Sequence, residues 1–318
     1  MRVLVTGAAG FIGSHVTDAL LARGDEVVGL DNFNDYYDPA RKWANVRAAQ
    51  AHSSYRLVEG DIRNDVLLAE LFEAGAFDRV CHVAAMAGVR CSMERPRLYQ
   101  SVNVGGTLNL LEQARRQGVT SFVFASSSSV YGVNNPLPFR EDADVGRPIS
   151  PYAATKVAKE VLAHTYHHLF GLHCTGLRFF TVYGPRGRPD MAPYLFTKCI
   201  AEGRALRQFG DGTSRRDYTF IRDVVSGVLA ALDRDLPYEL INLGRGETIC
   251  LTDFIRVIEG VIGKEAVIVK ELPKPGDMPI THADVSKARD LLGYDPVVSV
   301  EEGMREFWGW YQREVGIR

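Results

Sequence analysis

A tyrosine and a lysine four positions apart are the first residues in this chain whose types and spacing suggest chemistry. Residues 150–156 read SPYAATK, so Tyr152 and Lys156 lie one turn apart on the same face if the segment is helical. A nearby ammonium favours the phenolate form of a tyrosine, and a phenolate can serve as a general base. The same spacing also fits an ordinary helix surface, so other parts of the chain must decide between the two interpretations.

A run of serine hydroxyls follows a predicted strand elsewhere in the chain. Residues 121–125 (SFVFA) are predicted to form a buried strand, and 126–129 are all serine. The carboxyl ends of strands are where ligands bind in open parallel sheets. A serine, a tyrosine and a lysine beside a nicotinamide form a set for hydride transfer. In that set Tyr152 takes the proton of a substrate hydroxyl, Ser127 hydrogen-bonds the same oxygen, and Lys156 binds the nicotinamide ribose.

A glycine-rich segment at the start of the chain predicts a dinucleotide cofactor. Residues 3–13 read VLVTGAAGFIG, with Gly7, Gly10 and Gly13 directly after a predicted strand and at the start of a predicted helix. Such glycines permit a tight turn and a close approach to a pyrophosphate, which the helix N-terminus attracts. Asp31 ends the next predicted strand, where a carboxylate accepts hydrogen bonds from the ribose and repels the 2′-phosphate of NADP. We therefore predict NAD as the cofactor.

These groups require a parallel sheet to bring them together. Short apolar segments alternate with amphipathic helical ones through the first half of the chain, a pattern typical of a Rossmann-type, doubly wound α/β sheet. The predicted strands are 2–5, 26–30, 55–58, 79–84, 121–125 and 172–179. The interval 32–54 is long and polar for a simple crossover, and such insertions are often functional.

Beyond Gly184 the pattern changes, because glycine and proline become dense and the strand and helix signals become short. We expect a smaller α/β substrate-binding lobe there. The predicted division assigns 1–180, with a return at 218–244, to an NAD-binding domain. It assigns 181–217 and 245–318 to the lobe that binds the substrate.

Composition and charge exclude several classes of protein. The chain has 46% hydrophobic and 24% charged residues and a net charge of −2, so it lacks the basic field that attracts nucleic acid. No apolar run reaches the length of a membrane span. The five cysteines are widely spaced without a CxxC, and a predicted strand starts at the first residues. We therefore expect reduced thiols in a cytoplasmic protein without a signal peptide.

His164, His167 and His168 have the spacing of metal ligands, but no further ligand cluster accompanies them, so we expect no metal.

Several motifs taken together resemble the extended short-chain dehydrogenase/reductase family over essentially the whole chain. They are GxxGxxG (7–13), Asp31, HVAA (82–85), SSSSVYG (126–132) and YAATK (152–156). Three more, DNFNDYYDP (31–39), RFFTVYGPRGRPDMA (178–192) and RRDYTFIRD (215–223), resemble the nucleotide-sugar epimerases, and most of all the UDP-glucuronate 4-epimerases. The resemblance implies tightly held NAD that is reduced and reoxidised within one turnover, so that a hydride leaves C4 of the sugar and returns to its other face. It also implies a homodimer that pairs through 95–117 and 152–170.

The resemblance also assigns individual residues. The catalytic set is Ser127, Tyr152 and Lys156, with Ser127 chosen because it stands three places before Val130. The cofactor contacts are Gly7, Gly10, Phe11, Ile12, Gly13, Asp31, Asn32, Asp61, Ile62, Ala84, Ala85, Tyr152 and Lys156. The substrate contacts are Arg90, Ser127, Ser128, Thr181, Arg188, Phe209, Arg216 and Asp277.

Some of these assignments compete with plainer ones. Asp61 matches a contact to the adenine edge, but it also fits a plain turn aspartate. Thr181 offers a short hydroxyl suited to a carboxylate at C6 of the sugar, and Arg216 matches a diphosphate-binding arginine. Arg90 and Arg188 are further cations for the diphosphate or the carboxylate, although any arginine also fits an ordinary exposed position.

The sequence thus predicts NAD-dependent 4-epimerisation of UDP-glucuronate to UDP-galacturonate. A UDP-glucuronate decarboxylase is the first alternative, because it shares the fold, the cofactor and the first step. A UDP-galactose or N-acetylhexosamine 4-epimerase is the second, and an NAD-binding regulator that has lost turnover is the third.

Overall fold

A seven-stranded parallel sheet forms the centre of the structure. The computed structural model describes residues 1–272 and 278–315. In chain order its strands are β1 (Arg2–Thr6), β2 (Glu26–Asp31), β3 (Tyr55–Glu59), β4 (Arg79–His82), β5 (Ser121–Ser127), β6 (His173–Phe179), β7 (Thr181–Tyr183), β8 (Ala205–Phe209), β9 (Arg215–Arg216), β10 (Tyr218–Phe220), β11 (Tyr238–Leu243), β12 (Ile249–Cys250) and β13 (Val267–Glu271). The central sheet has the order β11-β6-β5-β4-β1-β2-β3. The six predicted strands are therefore confirmed, and β11 adds a seventh.

The strand order reverses beside β1, whose neighbours are β2 on one side and β4 on the other. Thr6, the last residue of β1, pairs with Leu30 of β2 and with His82 of β4. All three strands therefore end at one edge, and the crevice between β1 and β4 is where open α/β sheets bind their ligands. The glycine loop that follows β1 opens onto this crevice.

Helices cover both faces of the sheet. In chain order they are α1 (Phe11–Ala22), α2 (Pro39–Gln50), α3 (Asp65–Gly75), α4 (Val89–Glu94), α5 (Pro96–Tyr99), α6 (Gly106–Arg116), α7 (Pro151–Phe170), α8 (Ala192–Ala201), α9 (Ile221–Asp233), α10 (Leu251–Ile262), α11 (Ser286–Leu292) and α12 (Val300–Val315). A π-helical turn, Gln100–Gly105, joins α5 to α6. Successive side chains of β1 point to opposite faces, so Val3 and Val5 pack with α1 and α9, whereas Leu4 packs with the core under α3 and α6. Burial on both faces explains why these strands read as continuous apolar runs.

A second lobe stands beyond the carboxyl edge of the sheet. It contains three two-stranded sheets, β7 with β10, β8 with β13, and β9 with β12. Its core is aromatic: Tyr218 stacks on Phe254 with ring centroids 4.0 Å apart, and Tyr194 meets Phe307 edge-on at 6.0 Å. The chain crosses back to the central sheet at β11, which pairs with β6 along Tyr238–Leu243. Within the described residues, none of the helices is long and apolar enough to cross a membrane.

Candidate active site

One cavity of about 1250 Å³ lies between the carboxyl edge of the sheet and the second lobe. Most of the predicted site residues line it. They are Gly7, Gly10, Phe11, Ile12, Gly13, Asp31, Asn32, Ile62, Ala84, Ala85, Arg90, Ser127, Ser128, Tyr152, Lys156, Thr181, Arg188, Phe209 and Arg216. Asp61 stands outside the cavity lining, and Asp277 lies outside the described residues. The fold therefore brings cofactor, catalytic and substrate candidates to one place.

Two glycines of the loop have no room for a side chain. Gly7 has a φ of +72°, and a Cβ there would come within 2.8 Å of the amide nitrogen of Ala84. A Cβ on Gly13 would come within 2.1 Å of the carbonyl oxygen of Gly7, so the first turn of α1 packs directly on the loop. Gly10 is the N-cap of α1 and supplies no side-chain hydrogen bond, which leaves the helix N–H groups for a ligand. These features fit the diphosphate of a dinucleotide.

Asp31 is fixed at the end of β2 by two backbone amides. Its Oδ2 accepts from the amide of Ala9 at 3.1 Å, and its Oδ1 accepts from the amide of Phe33 at 2.9 Å. Burial raises the pKa of Asp31, and the Phe33 amide and Lys42 act against that rise. Each carboxylate oxygen still has a second lone pair, so a ribose diol at the cavity wall could donate to both. The site therefore fits the ribose of NAD.

Asp61 has an arrangement that sequence reasoning did not anticipate. Arg63 donates to both of its oxygens, at 2.9 and 2.8 Å, and lowers the pKa of Asp61 to about 2. The side chain of Asn32 also donates to Asp61, at 2.9 Å. Ile62 lines the cavity directly, whereas Asp61 borders it through Asn32. The contact of Asp61 with an adenine edge stays a prediction.

The serines at the end of β5 have different partners. Ser126 is buried and donates to Glu160 at 2.5 Å. The Ser127 hydroxyl accepts from the amide of Ser129 at 3.2 Å and so caps the 3₁₀ turn Ser128–Tyr131. Although Ser126 also lines the cavity, its hydroxyl is committed to Glu160. Ser127 is therefore the better placed of these two to meet a substrate oxygen.

Helix α7 carries Tyr152 and Lys156. Ser150 caps its start by accepting from the amide of Ala153 at 3.1 Å, and proline occupies the first turn. Lys156 Nζ donates to the carbonyl oxygen of Ala125 at 2.9 Å and lies 5.5 Å from the centroid of the Tyr152 ring. Burial lowers the pKa of Lys156, and Tyr152 and Glu160 act against that lowering. The lysine thus ties the start of α7 to the end of β5, and Ser127 and Tyr152 face one cavity.

A buried ion pair behind these residues was missed by the sequence analysis. Arg178 of β6 donates to Glu160 of α7 through Nε at 2.9 Å and through Nη2 at 2.8 Å. Arg178 Nη1 also donates to the phenol oxygen of Tyr131 at 3.0 Å. A charged residue inside an apolar strand, and a glutamate one turn beyond Lys156 on the same helical face, were the available signals. This pair fixes β6 and α7 against each other beside the serine run.

Five arginines of the described chain line the cavity, and three of them, Arg90, Arg188 and Arg216, are the predicted substrate contacts. Arg188 binds Asp190 with both ends of its guanidinium, at 3.0 and 2.6 Å, and this pairing raises the pKa of Arg188 against the effect of burial. Arg90 lies 5.2 Å above the centroid of the Phe209 ring. Arg216 donates to the carbonyl oxygen of Arg215 at 2.9 Å. Arg188 therefore already has an anionic partner, so its role toward the diphosphate or the C6 carboxylate stays a prediction.

Other residues of the cavity were not among the predicted contacts. Asn34, Tyr36, Tyr37 and Lys42, all from the segment between β2 and β3, line it. That segment is unusually long and polar for a crossover, and Asn32 was its only predicted contact. Among the described residues, no three His, Cys, Asp or Glu side chains are grouped so that they could hold a metal ion.

Comparisons with known proteins agree with this geometry. A family model described as GDP-mannose 4,6 dehydratase matches residues 4–307. UDP-glucuronate 4-epimerase 4 of Arabidopsis thaliana is 47% identical over 98% of this chain and 75% of the plant protein. UDP-glucuronate 4-epimerase of Thermodesulfobacterium geofontis is 44% identical over 99% of this chain and 97% of that protein.

A solved structure is similar over both lobes. The crystal structure of UDP-glucuronic acid 4-epimerase from Bacillus cereus, in complex with UDP-glucuronic acid and NAD, superimposes with a TM-score of 0.94 at 38% identity. The match covers 99% of this chain and 100% of the Bacillus chain. Similarity of this extent shows that the chain belongs to the extended short-chain dehydrogenase/reductase family, among its nucleotide-sugar epimerases.

Proposed function

We propose that this protein is an NAD-dependent 4-epimerase that converts UDP-glucuronate to UDP-galacturonate. The observation that carries the proposal is that Ser127, Tyr152 and Lys156 line the same cavity as the glycine loop and Asp31. Relatives named UDP-glucuronate 4-epimerases, 43–47% identical to this chain, support the choice of sugar.

The cofactor is assigned to the sheet side of the cavity. Gly7, Gly10 and Gly13, with the start of α1, would hold the diphosphate, and Asp31 would hold the adenosine ribose. When bound, NAD supplies a hydride acceptor that gives the hydride back within the same turnover. An enzyme with no net redox change has no need to exchange its cofactor, so NAD is expected to copurify with the protein.

The chain's own residues move the proton. Tyr152 takes the proton of the sugar C4 hydroxyl, holds it while C4 is a ketone, and returns it to the oxygen when C4 is reduced from its other face. Lys156, anchored at Ala125, stabilises negative charge on the Tyr152 oxygen. Ser127 donates a hydrogen bond to the C4 oxygen. No proton is lost to or taken from the solvent over the full cycle.

The C6 carboxylate decides between epimerisation and decarboxylation. A 4-keto uronate is a β-keto acid, which loses CO₂ when its C5–C6 bond lies parallel to the carbonyl π orbitals. Thr181 and Ser128 both line the cavity with short hydroxyls. We assign them the role of holding the carboxylate out of that alignment by hydrogen bonds.

The test is to incubate the purified protein with UDP-glucuronate and to separate the products. UDP-galacturonate is expected. UDP-pentose as the main product would identify a decarboxylase. Turnover of UDP-galactose or UDP-N-acetylglucosamine, without turnover of the uronate, would identify the second alternative.

The matched control for this test is Tyr152→Phe, which removes the proton acceptor and keeps the ring. Turnover should fall by at least about 10²-fold while NAD stays bound. Near-normal turnover would overturn the role given to Tyr152. The nucleotide released by denaturing the wild type should be NAD, and NADP as the main species would overturn the role given to Asp31.

We further propose a homodimer that pairs through 95–117, which contains α6, and through 152–170, which forms most of α7. Four apolar side chains on these helices are 41–62% exposed, namely Leu108, Val161, Leu169 and Phe170. Apolar helix faces of this kind often mark an interface. Light scattering during gel filtration should give twice the chain mass.

The division into an NAD-binding domain (1–180 with 218–244) and a substrate-binding lobe (181–217 and 245–318) is also a proposal. So is the cytoplasmic location.

A further inference from the structure

The segment between β2 and β3 has no part in the mechanism above, yet it forms a wall of the cavity. We call residues 32–50 the β2–β3 insertion; they comprise a loop, 32–38, and helix α2 (Pro39–Gln50). The insertion lines the cavity with Asn32, Asn34, Tyr36, Tyr37 and Lys42. Its hydrogen bonds connect it to the glycine loop and Asp31 on one side and to the second lobe on the other.

On one side the insertion is bonded to the residues assigned to the cofactor. Asn45, buried on α2, donates to the carbonyl oxygen of Ala9 in the glycine loop at 3.0 Å. The amide of Phe33 donates to Asp31 at 2.9 Å. The insertion therefore braces both the diphosphate loop and the ribose carboxylate.

The loop of the insertion is held in one conformation by its own contacts. Phe33 has a φ of +47°, which is costly for a residue with a Cβ, and its ring stacks on Trp43 with centroids 3.8 Å apart. Lys42 Nζ donates to Asn34 at the carbonyl oxygen (2.8 Å) and at the side-chain oxygen (3.0 Å). These contacts hold the loop in the conformation that forms the cavity wall.

On the other side the insertion is attached to the substrate lobe at two points. The Tyr36 phenol donates to Asp190 at 3.1 Å, and Asp190 is itself held by Arg188. Arg41 donates to the phenol oxygen of Tyr194, with its guanidinium 4.8 Å from the centroid of that ring. Tyr194 is buried in α8, so this attachment point belongs to the core of the lobe.

We propose that the β2–β3 insertion is a clasp that retains the cofactor, with Tyr36–Asp190 and Arg41–Tyr194 as its two attachments to the substrate lobe. The inference rests on the proposed function in that NAD is taken to be the resident cofactor. A dinucleotide held by the glycine loop and Asp31 has the insertion as its wall, and that wall is tied to both lobes. Opening the wall breaks the two attachments, so each one slows release of the cofactor.

The experiment removes one oxygen atom from each attachment. Tyr36→Phe and Tyr194→Phe delete the hydroxyls and keep the rings, singly and together. Tyr166→Phe is the matched control, because it deletes a phenol that donates to a carboxylate, Glu112 at 2.8 Å, away from the cavity. Each protein is loaded with isotopically labelled NAD, freed of unbound nucleotide, and chased with excess unlabelled NAD. Label remaining on the protein is counted over time, and the melting temperature is recorded alongside.

Each single variant should release NAD about 3- to 10-fold faster than the wild type. The fold-increase in release rate of the double variant should be about the product of the two single fold-increases. The control should stay within about twofold of the wild type. Release at the wild-type rate from both single variants and the double variant would overturn the clasp. The variants could also melt lower by the same amount as the control and yet release NAD no faster than the wild type. That result would assign the two phenols a merely structural role and would likewise overturn the clasp. A wild type that neither copurifies with NAD nor takes up the label would refute the proposed function, and the clasp with it.

Discussion

The buried ion pair between Glu160 and Arg178 offers a direct test of how α7 is held against the sheet. The side chains are 4% and 1% exposed, and two hydrogen bonds join them at 2.9 and 2.8 Å. The perturbation is Glu160→Gln, which keeps the shape but removes the charge. It leaves the Arg178 guanidinium buried without its anionic partner and weakens the hydrogen bond from Ser126.

The magnitude follows from the burial. Breaking one partner of a buried ion pair costs about 3–5 kcal/mol, because an uncompensated charge stays in a medium of low dielectric constant. The chain has 318 residues. At about 2.1 cal/mol/K per residue, its unfolding entropy is about 0.7 kcal/mol/K. Glu160→Gln should therefore lower the melting temperature by about 4–8 °C.

The assay is thermal unfolding followed by circular dichroism, with two comparison variants. Glu302→Gln breaks an ion pair with Arg222 in which both side chains are more than half exposed, and it should cost no more than about 1 kcal/mol. The double replacement Glu160→Leu with Arg178→Met removes both charges and should melt above Glu160→Gln. A melting temperature for Glu160→Gln equal to that of Glu302→Gln would refute the reasoning.

The same substitution should also affect turnover. Glu160 anchors Ser126 beside Ser127, to which we assign a catalytic role, and its helix carries Lys156 one turn away. A shift of the strand end against α7 misplaces the hydroxyl and the phenol relative to each other, so kcat should fall by about 10-fold or more at temperatures where the variant is folded. Unchanged kcat would show that the pair acts on stability alone.

Three further predictions concern single side chains. The wild type should prefer UDP-glucuronate over UDP-glucose by up to about 10⁴-fold in kcat/KM, and Thr181→Val should narrow that gap by hurting the uronate and should release some UDP-pentose. Comparable wild-type values for the two sugars would contradict the carboxylate assignment. Lys159 is fully buried, and within the described part of the chain its Nζ has no hydrogen-bond partner, so Lys159→Met should stabilise the protein by about 1–3 kcal/mol in thermal unfolding. A lower melting temperature would show that the amine is satisfied. Burial lowers the pKa of His82 well below 6.5, with Lys159 and Lys156 adding to the effect, so the unfolded chain takes up this proton first as the pH falls. Stability of the wild type should then fall below about pH 6.5 by up to about 1.4 kcal/mol per pH unit more than that of His82→Gln, and equal slopes in denaturant titrations would contradict this.

The sequence alone determined the parts of the protein that depend on neighbours along the chain. The glycine loop could be predicted because the positive φ of Gly7 and the close approach of Gly13 to the carbonyl oxygen of Gly7 both arise within one strand–turn–helix unit. The relation of Tyr152 to Lys156 could be read because a helix sets the positions of residues four apart. The inner strands of the sheet were visible because burial on both faces demands apolar runs of strand length, whereas the edge strand β3, which has no fully buried residue, was visible from its short apolar run between polar segments. Their assembly at one edge then follows from the handedness of parallel crossovers.

Only the tertiary structure decided which side chains meet across elements. Arg188 was expected as a cation for the substrate, but the fold also brings Tyr36, 152 positions away, to its guanidinium at 3.4 Å. Glu160 and Arg178 lie on different elements. The hydrophobic periodicity of a sequence indicates which positions are buried, but it does not indicate which side chains they contact. The β2–β3 insertion could be recognised as unusual, yet its attachment at Tyr36 spans 154 positions to Asp190. Contacts at such separation depend on how the two lobes pack, since local preferences along the chain carry no information about a partner that arrives from the other lobe.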